Sequence, residues 1–516
     1  MRLVISHLAL AALSAAPTAQ AESTTFTVPQ SAGSNAQRLD EAPVSFSFPY
    51  AGLPGYFPGM PLAHKCLDTF KGVTGTWPRI RIGGTSEDYG TFDPDLDVPN
   101  IVTGTAPTGQ GITTFGPLLM RLVAGYKGPI VWGLNRGANN ISNTIAAAKA
   151  ALKEIPSLYA LELGNEPVSS PFVPTVSLGT LPPSIFGALG RPIAGSPEDW
   201  TPQADAESES EWQTEIGRAL NKKHIFQAGS YYRPPPTGWS AKSYFQYANA
   251  SADKYIRVFS QHHYPQSALS QNEDPPNVEA LISHVNVTKK VGMYAADVQV
   301  ARERGFDYVF GETNSVSGNG SPGQGATFAT GVWALDYALR AASVGVKRLY
   351  FHQGTVGKSY YVWFKEGNVM SPFYGGYVAA EAMAGGSRIA ALDDGSTNYA
   401  AYAIYSARGA VRKVVLVNSD FFDGDGTRSR REFVLEGLMV RGKGGGGSVR
   451  VKRLTAPSSL SQQDLGEAPT FAGRVVDDQT CRFTGEEVVE EVQVGVGGRA
   501  TIELAASEAV VITLNG

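Results

Sequence analysis

The sequence predicts an α/β protein, a (β/α)8 TIM barrel followed by a C-terminal all-β sandwich domain. Between about residues 44 and 354, short strand-like runs alternate with helical stretches. Two of these runs stop abruptly on a glutamate, Glu166 and Glu312. From about residue 387 the runs are all β-like and are separated by turns rich in Gly, Asp and Asn, which is typical of a sandwich.

Eight runs are predicted as barrel strands: 44–48, 79–83, 130–134, 158–164, 224–230, 256–262, 307–311 and 348–354. The alanine-rich stretch 142–155 predicts a helix with Ser142 as its cap, and 329–345 predicts a second helix that ends on Gly345. Residues 168–210 are rich in Pro and Ser, so we expect an irregular insertion in the fourth βα loop, on the face where barrels carry their active sites.

Four segments follow from this pattern. Residues 1–21 contain Arg2, an apolar stretch and Ala19-Gln20-Ala21, which predicts a secretory signal peptide and a secreted, extracellular protein. Residues 22–40 hold an early strand that we expect to pair with the sandwich. Residues 41–386 form the predicted catalytic barrel, and residues 387–516 form the sandwich.

The composition argues against several other classes of function. The chain is 42% hydrophobic and 17% charged with a formal net charge of −4, so we expect no nucleic-acid partner and no membrane partner. The sequence has no metal-ligand pattern and no nucleotide-binding loop, so it predicts no metal and no cofactor. We expect a monomer.

Cysteines and sequons give weaker signals. Cys66 and Cys481 could form a disulfide in an oxidising compartment, but the sequence leaves open whether they meet. Asn-X-Ser/Thr sequons predict N-glycosylation at Asn140, Asn249, Asn286 and Asn319. Chance alone would also produce a few sequons in a chain of this length.

Glu166 and Glu312 carry the predicted chemistry. They end the fourth and seventh predicted strands, so both should project at the C-terminal mouth of the barrel. Two carboxylates that flank one bond can hydrolyse a glycosidic linkage, because one donates a proton while the other attacks the anomeric carbon. The alternative for each glutamate is a solvated loop residue.

The motifs "LELGNEP" (161–167), "FGETNS" (310–315), "RIRIGGTSEDYG" (79–90) and "FSQHHYP" (259–265) resemble glycoside hydrolase family 79, the β-glucuronidases and heparanase-like enzymes of clan A. The resemblance covers essentially the whole mature chain. It implies a retaining mechanism in which Glu166 is the acid/base and Glu312 is the nucleophile.

The resemblance also implies roles for residues around this pair. Asn165 would bind the sugar 2-hydroxyl, with a simple turn as the alternative, and Tyr264 would hold the nucleophile, with packing as the alternative. The neighbouring His262 and His263 are expected to position or pack. Where relatives often carry an aromatic residue after "GETNS", this chain has Ser317, so the expected phenol contact is missing there.

The loop after the eighth predicted strand, "FHQGTVGKSYYVWF" (351–364), is the candidate for binding the substrate carboxylate. Lys358, Ser359, Tyr360 and Tyr361 supply the donors that an anion needs, and the resemblance favours Tyr360. The alternative is an ordinary surface loop.

The sequence therefore predicts a secreted, retaining exo-β-glucuronidase that acts on glycans or glycoconjugates with terminal β-linked glucuronic acid, including its 4-O-methyl form. Three alternatives stay open: a heparanase-like endo-β-glucuronidase, a clan A β-glycosidase of a neutral sugar, and a non-catalytic carbohydrate-binding protein.

Overall fold

The structure is a computed structural model that describes residues 22–105, 111–167, 200–232, 234–269, 275–355, 357–439 and 447–514. The predicted signal peptide, residues 1–21, lies outside the described residues, as do residues 168–199 of the predicted insertion. None of the helices in the described part of the chain is both long enough and apolar enough to cross a membrane.

Eight parallel strands close into a barrel. In chain order they are β1 (Val44–Pro49), β2 (Ile80–Gly83), β3 (Ile130–Leu134), β4 (Leu158–Leu163), β5 (Phe226–Tyr231), β6 (Ile256–His263), β7 (Asp307–Thr313) and β8 (Arg348–His352). Consecutive strands are neighbours, and β8 pairs with β1 to complete the ring. These strands coincide closely with the eight predicted runs, so the predicted barrel is confirmed.

The helices of the described residues lie between and after these strands. They are α1 (Pro61–Thr74), α2 (Pro117–Val123), α3 (Ile141–Glu154), α4 (Pro202–Leu220), α5 (Ala241–Tyr247), α6 (Val278–Ile282), α7 (His284–Gly292), α8 (Ala295–Glu303), α9 (Phe328–Val344) and α10 (Pro372–Met383). Helix α9 ends at Gly345, as predicted, with the left-handed backbone that glycine adopts without strain.

Two helix predictions were wrong in detail. The side chain of Asn140, not of Ser142, caps α3 by accepting a hydrogen bond from the backbone N–H of Asn143 at 3.2 Å. Helix α4 occupies residues that were predicted to belong to an irregular insertion. It begins after Thr201, whose side chain caps it, and its buried face includes Trp212 and Ile216.

The barrel interior changes from apolar to polar toward the C-terminal ends of the strands. The apolar layer of this interior consists of Val131, Ala160, Val258, Val309 and Tyr350. Two residues further along β4 lies Glu162, which is buried and in contact with Arg81 and Gln227. Gly311 makes room for these groups, because a Cβ at that position would overlap the Ser260 hydroxyl and lie 2.9 Å from Gln227 Nε2.

The C-terminal region packs two sheets around a core of its own. The larger sheet has the strand order Gln37–Arg38, Arg388–Ala391, Tyr399–Tyr405, Val411–Asn418, Glu508–Leu514, Gly447–Thr455 and Thr470–Phe471, with Glu490–Val494 also paired to Gly447–Thr455. The smaller sheet has the order Ser23–Thr27, Arg430–Glu436 and Ala500–Ala505. Apolar side chains from both sheets share one buried cluster, so the region is a sandwich. The early strand Ser23–Thr27 pairs in parallel with Arg430–Glu436.

Short strand pairs decorate the loops. They are Gly90–Phe92, Asn100–Thr105 and Gly111–Phe115 in one small sheet, Gln266–Ser267 with Val316–Ser317, Phe364–Lys365 with Asn368–Val369, and Val475–Val476 with Phe483–Thr484. The first of these sheets and the pair at Gln266 and Val316 follow barrel strands β2, β6 and β7.

A disulfide joins the barrel to the C-terminal region. Cys66 in α1 is bonded to Cys481, with their Cα atoms 5.0 Å apart and both side chains buried. The question that the sequence left open is thus answered in favour of pairing.

A buried charged group joins the same two regions, and we call it the interdomain cluster: His284, Asp336, Asp393 and Tyr402. His284 Nδ1 lies 2.8 Å from Asp336 Oδ2, and its Nε2 lies 2.9 Å from Asp393 Oδ1. Tyr402 donates to Asp336 at 2.6 Å. Burial opposes protonation of the imidazole, but the two carboxylates outweigh burial and raise the pKa of His284 to about 10.

Candidate active site

Glu166 follows β4 in a turn with unusual backbone geometry. Its φ of 47° lies in the left-handed region, which non-glycine residues rarely adopt. Two contacts hold the turn: the N–H of Asn165 donates to Asp88 Oδ2 at 2.8 Å, and the N–H of Glu166 donates to the Ser230 carbonyl at 3.2 Å. Outliers held in this way are frequent at functional sites.

Glu312 lies within β7, and both of its carboxylate oxygens have partners. Tyr264 donates to Oε1 at 2.7 Å, and Arg81 donates to Oε2 through Nη1. The imidazole Nδ1 of His352 lies 3.7 Å from Oε2. Glu312 is only 7% exposed, so these contacts replace most of the water that a carboxylate would otherwise bind.

The two predicted glutamates converge at the barrel mouth. His262 Nδ1 lies 2.8 Å from Glu166 Oε1, and one ligand-type atom from each of Glu166, His262 and Glu312 lies within 4.8 Å of the others. Such residues could also hold a metal ion, but the guanidinium of Arg81 already supplies the positive charge beside Glu312. The separation between the carboxylates of Glu166 and Glu312, which have oxygens within 4.8 Å of each other, fits the roughly 5–5.5 Å between the carboxyl groups of retaining glycosidases.

The environments of the two glutamates shift their pKa values in opposite directions. Burial raises the pKa of Glu166, and the hydrogen bond to His262 only partly offsets burial. Burial would also raise the pKa of Glu312, but adjacent positive charge and the Tyr264 hydroxyl hold it well below its ordinary value. Because burial lowers the pKa of His352 to about 4, Arg81 is the cation that acts on Glu312 at neutral pH.

Asn165 and Glu312 share the guanidinium of Arg81. Arg81 Nη2 donates to Asn165 Oδ1 at 2.9 Å, while its Nη1 donates to Glu312. Glu162, four residues before Glu166, accepts from Arg81 Nε at 2.8 Å and also from Nη2. We call Arg81, Glu162, Asn165 and Glu312 the mouth cluster.

The three consecutive residues His262, His263 and Tyr264 point to different surroundings. His262 contacts Glu166 and Tyr264 contacts Glu312, so both lie at the site. His263 instead lies 2.7 Å from the Tyr337 hydroxyl, and burial lowers its pKa to about 3. His263 is therefore a neutral packing residue against α9.

Three of the four predicted donors of the β8 loop line one cavity. Lys358, Ser359 and Tyr360 line a cavity of about 260 Å³ whose wall includes Gln462 and Asp464. Within the described residues, none of the three donors contacts Glu166 or Glu312. Their role in binding the substrate carboxylate stays a prediction.

Tyr361, the next residue, lies closer to the catalytic pair. Its ring centroid is 6.2 Å from that of Tyr264 and 6.1 Å from that of His352. Tyr361 is buried, and its position next to Tyr264 and His352 was not predicted. The sequence could not separate Tyr360 from Tyr361, because the direction of a loop side chain follows no regular period.

Ser317 meets a phenol from another strand. The hydroxyl of Tyr232, directly after β5, lies 3.3 Å from Ser317 Oγ. A phenol is thus present beside Ser317, although residue 317 does not supply it.

The four predicted glycosylation sites differ in exposure. Asn140, Asn249 and Asn319 are exposed, whereas Asn286 is half-buried and donates to the Ala280 carbonyl at 2.9 Å. Glycosylation stays a prediction at all four positions.

Sequence reasoning missed the importance of Arg81 and Glu162. Each is a charged residue inside an otherwise apolar strand run, "IRIG" and "LYALELG". A charge in a buried strand needs a partner of opposite sign, so this pattern was the signal that the two face each other.

A closed parallel barrel with two unlike carboxylates at its mouth defines a glycoside hydrolase of the barrel type. The sequence profile of the "Glycosyl hydrolase family 79 C-terminal beta domain" matches residues 401–511. A solved structure of a 4-O-α-L-rhamnosyl-β-D-glucuronidase from Fusarium oxysporum, in complex with Rha-GlcA, is 37% identical with a TM-score of 0.83, over 95% of this chain and 100% of that chain. The chain belongs to glycoside hydrolase family 79, so the predicted family is confirmed.

Two further relatives extend the comparison. A β-glucuronidase of Aspergillus niger is 26% identical over 91% of this chain and 90% of that protein. A family 51 α-L-arabinofuranosidase from Bifidobacterium longum has a TM-score of 0.61 at 14% identity, over 95% of this chain and 99% of that chain. The second likeness shows a shared fold only.

Proposed function

We propose that the protein is a retaining exo-β-glucuronidase that removes terminal β-linked glucuronic acid by double displacement. The observation that carries the proposal is the convergence of Glu166 and Glu312 in environments that favour opposite protonation states. Two titratable groups with pKa values driven apart are the arrangement that acid and nucleophile roles require. The β-glucuronidase activity of relatives from Aspergillus niger and Fusarium oxysporum supports the choice of sugar.

In the first half-reaction, Glu166 donates its proton to the glycosidic oxygen as Glu312 attacks the anomeric carbon. The bond between that carbon and the glycosidic oxygen breaks, and a covalent glycosyl-enzyme forms. Glu166 suits the acid because burial raises its pKa, and Glu312 suits the nucleophile because adjacent positive charge and the Tyr264 hydroxyl hold its pKa well below its ordinary value.

In the second half-reaction, Glu166 acts as the base. The negative charge of Glu312 is one cause of the raised pKa of Glu166, and that charge is absent once Glu312 is an ester. The pKa of Glu166 then falls, so the carboxylate can take a proton from the water that attacks the anomeric carbon. Hydrolysis releases glucuronic acid with its original configuration and regenerates ionised Glu312.

Asn165 and Tyr264 complete the proposed subsite. Because Arg81 occupies Asn165 Oδ1, the amide NH₂ is the group left to donate to the sugar 2-hydroxyl. Tyr264 keeps Glu312 oriented through its 2.7 Å hydrogen bond.

We also propose that the site accepts a substituent on O4 of the glucuronic acid. The support is the 37% identity to an enzyme named for a 4-O-rhamnosyl glucuronide. We further propose that the protein is exported, because its N-terminal segment resembles a signal peptide and its disulfide needs an oxidising compartment.

A substrate panel tests the function. We expect turnover of 4-nitrophenyl β-D-glucuronide and its 4-O-methyl and 4-O-rhamnosyl forms, no turnover of the β-D-glucoside, and β-glucuronic acid as the first product seen by NMR. Hydrolysis of the glucoside alone would indicate a neutral-sugar glycosidase, and release of internal fragments from a polysaccharide would indicate endo action. Binding without turnover of any glycoside would indicate a carbohydrate-binding protein.

A further inference from the structure

Glu162 is a buried carboxylate beside the two glutamates that accepts hydrogen bonds from several side chains. It accepts from Arg81 Nε at 2.8 Å, from Arg81 Nη2, from Gln227 Nε2 and from the Ser230 hydroxyl at 2.8 Å. An ionised carboxylate can accept all of these bonds, whereas a protonated one would bring an additional O–H donor. Glu162 is fully buried, so these protein donors take the place of water around its carboxylate.

The hydrogen bonds from Arg81 to Glu162 fix the orientation of the guanidinium. The guanidinium of Arg81 is planar. Glu162 accepts hydrogen bonds from the edge of this plane that carries Nε and Nη2. With that edge fixed, Nη1 is left to donate to Glu312, and Nη2 has its second hydrogen directed at Asn165 Oδ1. The nucleophile and the sugar-binding amide are therefore oriented by one group that Glu162 anchors.

Glu162 is also the anion that balances Arg81. Another carboxylate, Glu87, lies 3.7 Å from Arg81 Nη2, but burial raises the pKa of Glu87 well above its ordinary value. Burial therefore favours the neutral form of Glu87. When Glu312 becomes an ester in the proposed reaction, Glu162 is the charge that remains beside the buried guanidinium.

We propose that Glu162 is a positioning residue, which anchors and neutralises Arg81 so that Glu312 remains a reactive nucleophile. Without this anion, Arg81 would stabilise the ground-state charge of Glu312 more strongly than the transition state, in which that charge is being lost. The proposal rests on the double displacement proposed above, because it requires that Glu312 attacks.

The test measures how fast Glu312 is labelled by a 2-deoxy-2-fluoro β-glucuronide with a good leaving group, followed by intact-protein mass. In Glu162→Gln, we expect the labelling rate constant to fall about 10- to 100-fold, the scale of a misplaced catalytic group. The final labelled fraction should stay that of the wild type, because misfolding would lower this fraction without slowing the folded molecules.

A matched control comes from Glu209, another buried glutamate next to β5. It accepts from the Gly229 N–H at 3.1 Å and from Gln213 Nε2 at 2.9 Å. Burial raises the pKa of Glu209 to about 8, so Glu209→Gln changes little charge at neutral pH. We expect it to be labelled at the wild-type rate.

Labelling of Glu162→Gln at the wild-type rate would overturn the proposal, as would equal slowing in Glu209→Gln. Should Glu162→Gln not fold, Glu162→Asp keeps the charge but shortens its reach to Arg81, and it should also be labelled more slowly.

Labelling of the wild type by a fluorinated glucoside instead would refute the glucuronide substrate, and the comparison is then made with that sugar. If no sugar labels the wild type, double displacement fails, and a crystal structure of Glu162→Gln with Arg81 still bonded to both Asn165 and Glu312 would refute the positioning role as well.

Discussion

His284 and Arg81 are both buried cations held between carboxylates, one where the barrel meets the sandwich and the other below the barrel mouth. In the interdomain cluster, each imidazole nitrogen of His284 has its own aspartate. The sequence distance between these partners is large, so their attraction is gained only in the folded state. This arrangement serves stability.

The mouth cluster divides one cation among several carboxylates. Arg81 contacts Glu162 and Glu312 directly, and Glu87 lies 3.7 Å away. One guanidinium cannot neutralise all of them, and burial raises the pKa of Glu87 well above its ordinary value. In the interdomain cluster, Arg340 Nη1 also lies 3.5 Å from Asp393 Oδ1, so two cations face two carboxylates. The comparison teaches that the same ingredients give a structural lock when cations and carboxylates are equal in number, and a reactive site when one cation is shared among several carboxylates.

Glu312→Gln, a change within the mouth cluster, should have the largest effect. The amide cannot form the glycosyl ester, so we expect kcat/KM to fall by about 10⁴-fold or more. Glu162 still neutralises Arg81 in this variant, so the thermal unfolding temperature should change little. Kinetics and thermal unfolding on the same preparation check both expectations, and a variant that retains more than a few per cent activity would contradict the assignment of the nucleophile.

Glu166→Ala should lose about 10²- to 10⁴-fold on substrates with poor leaving groups, because the proton donor is absent. Substrates with activated leaving groups need no acid, so they should still form the glycosyl-enzyme and then stall for want of a base. Azide can attack that intermediate, and we expect it to restore turnover with β-glucuronyl azide as product. Near-normal activity on poor leaving groups would contradict the assignment, and Glu312→Gln, which azide should not rescue in this way, is the control.

The barrel was predictable because its information is local. Each strand is a short apolar run between polar turns, and Glu166 and Glu312 interrupt such runs where parallel strands end. Helix α4 was missed because its polar start, "PQADAESES", resembles a loop when its buried partners are unknown. The burial of Asp205 and Glu209 on that helix depends on contacts with Arg136 and Gly229, which no local pattern encodes.

The site was predictable only in part, for a similar reason. The sequence predicts that a glutamate lies at a strand end, but it does not predict which side chains that glutamate contacts. Arg81 joins Glu312, Asn165 and Glu162 across three strands, and this requires the closed ring of the barrel. Tyr232 reaches Ser317 from yet another strand, so an absent aromatic at one position does not mean an absent phenol in space.

Disruption of the interdomain cluster should have the opposite outcome to the active-site changes. His284→Leu leaves Asp336 and Asp393 buried without their common cation, and we expect a loss of about 3–5 kcal/mol in the free energy of unfolding. Because His284 lies outside the mouth cluster, kcat per folded molecule should stay that of the wild type. Denaturant unfolding and active-site titration by the fluorinated label measure the two quantities, and a fall in kcat with unchanged stability would contradict the division of roles.

The smallest expected effect is the pH dependence that His284 imparts to stability. An ordinary histidine has a pKa of about 6.5 in an unfolded chain, whereas that of His284 is about 10 in the folded protein. The folded protein therefore binds more protons than the unfolded chain between these values, and linkage requires the free energy of unfolding to fall as pH rises. The contribution is complete below about pH 6.5 and is lost as the pH approaches 10. With these two pKa values, we expect the wild type to lose about 3–4 kcal/mol more than His284→Leu between pH 7 and 10. Other groups that titrate in this range are common to both proteins, so the difference isolates His284, and parallel curves for the two proteins would show that its imidazole is not charged in the folded state.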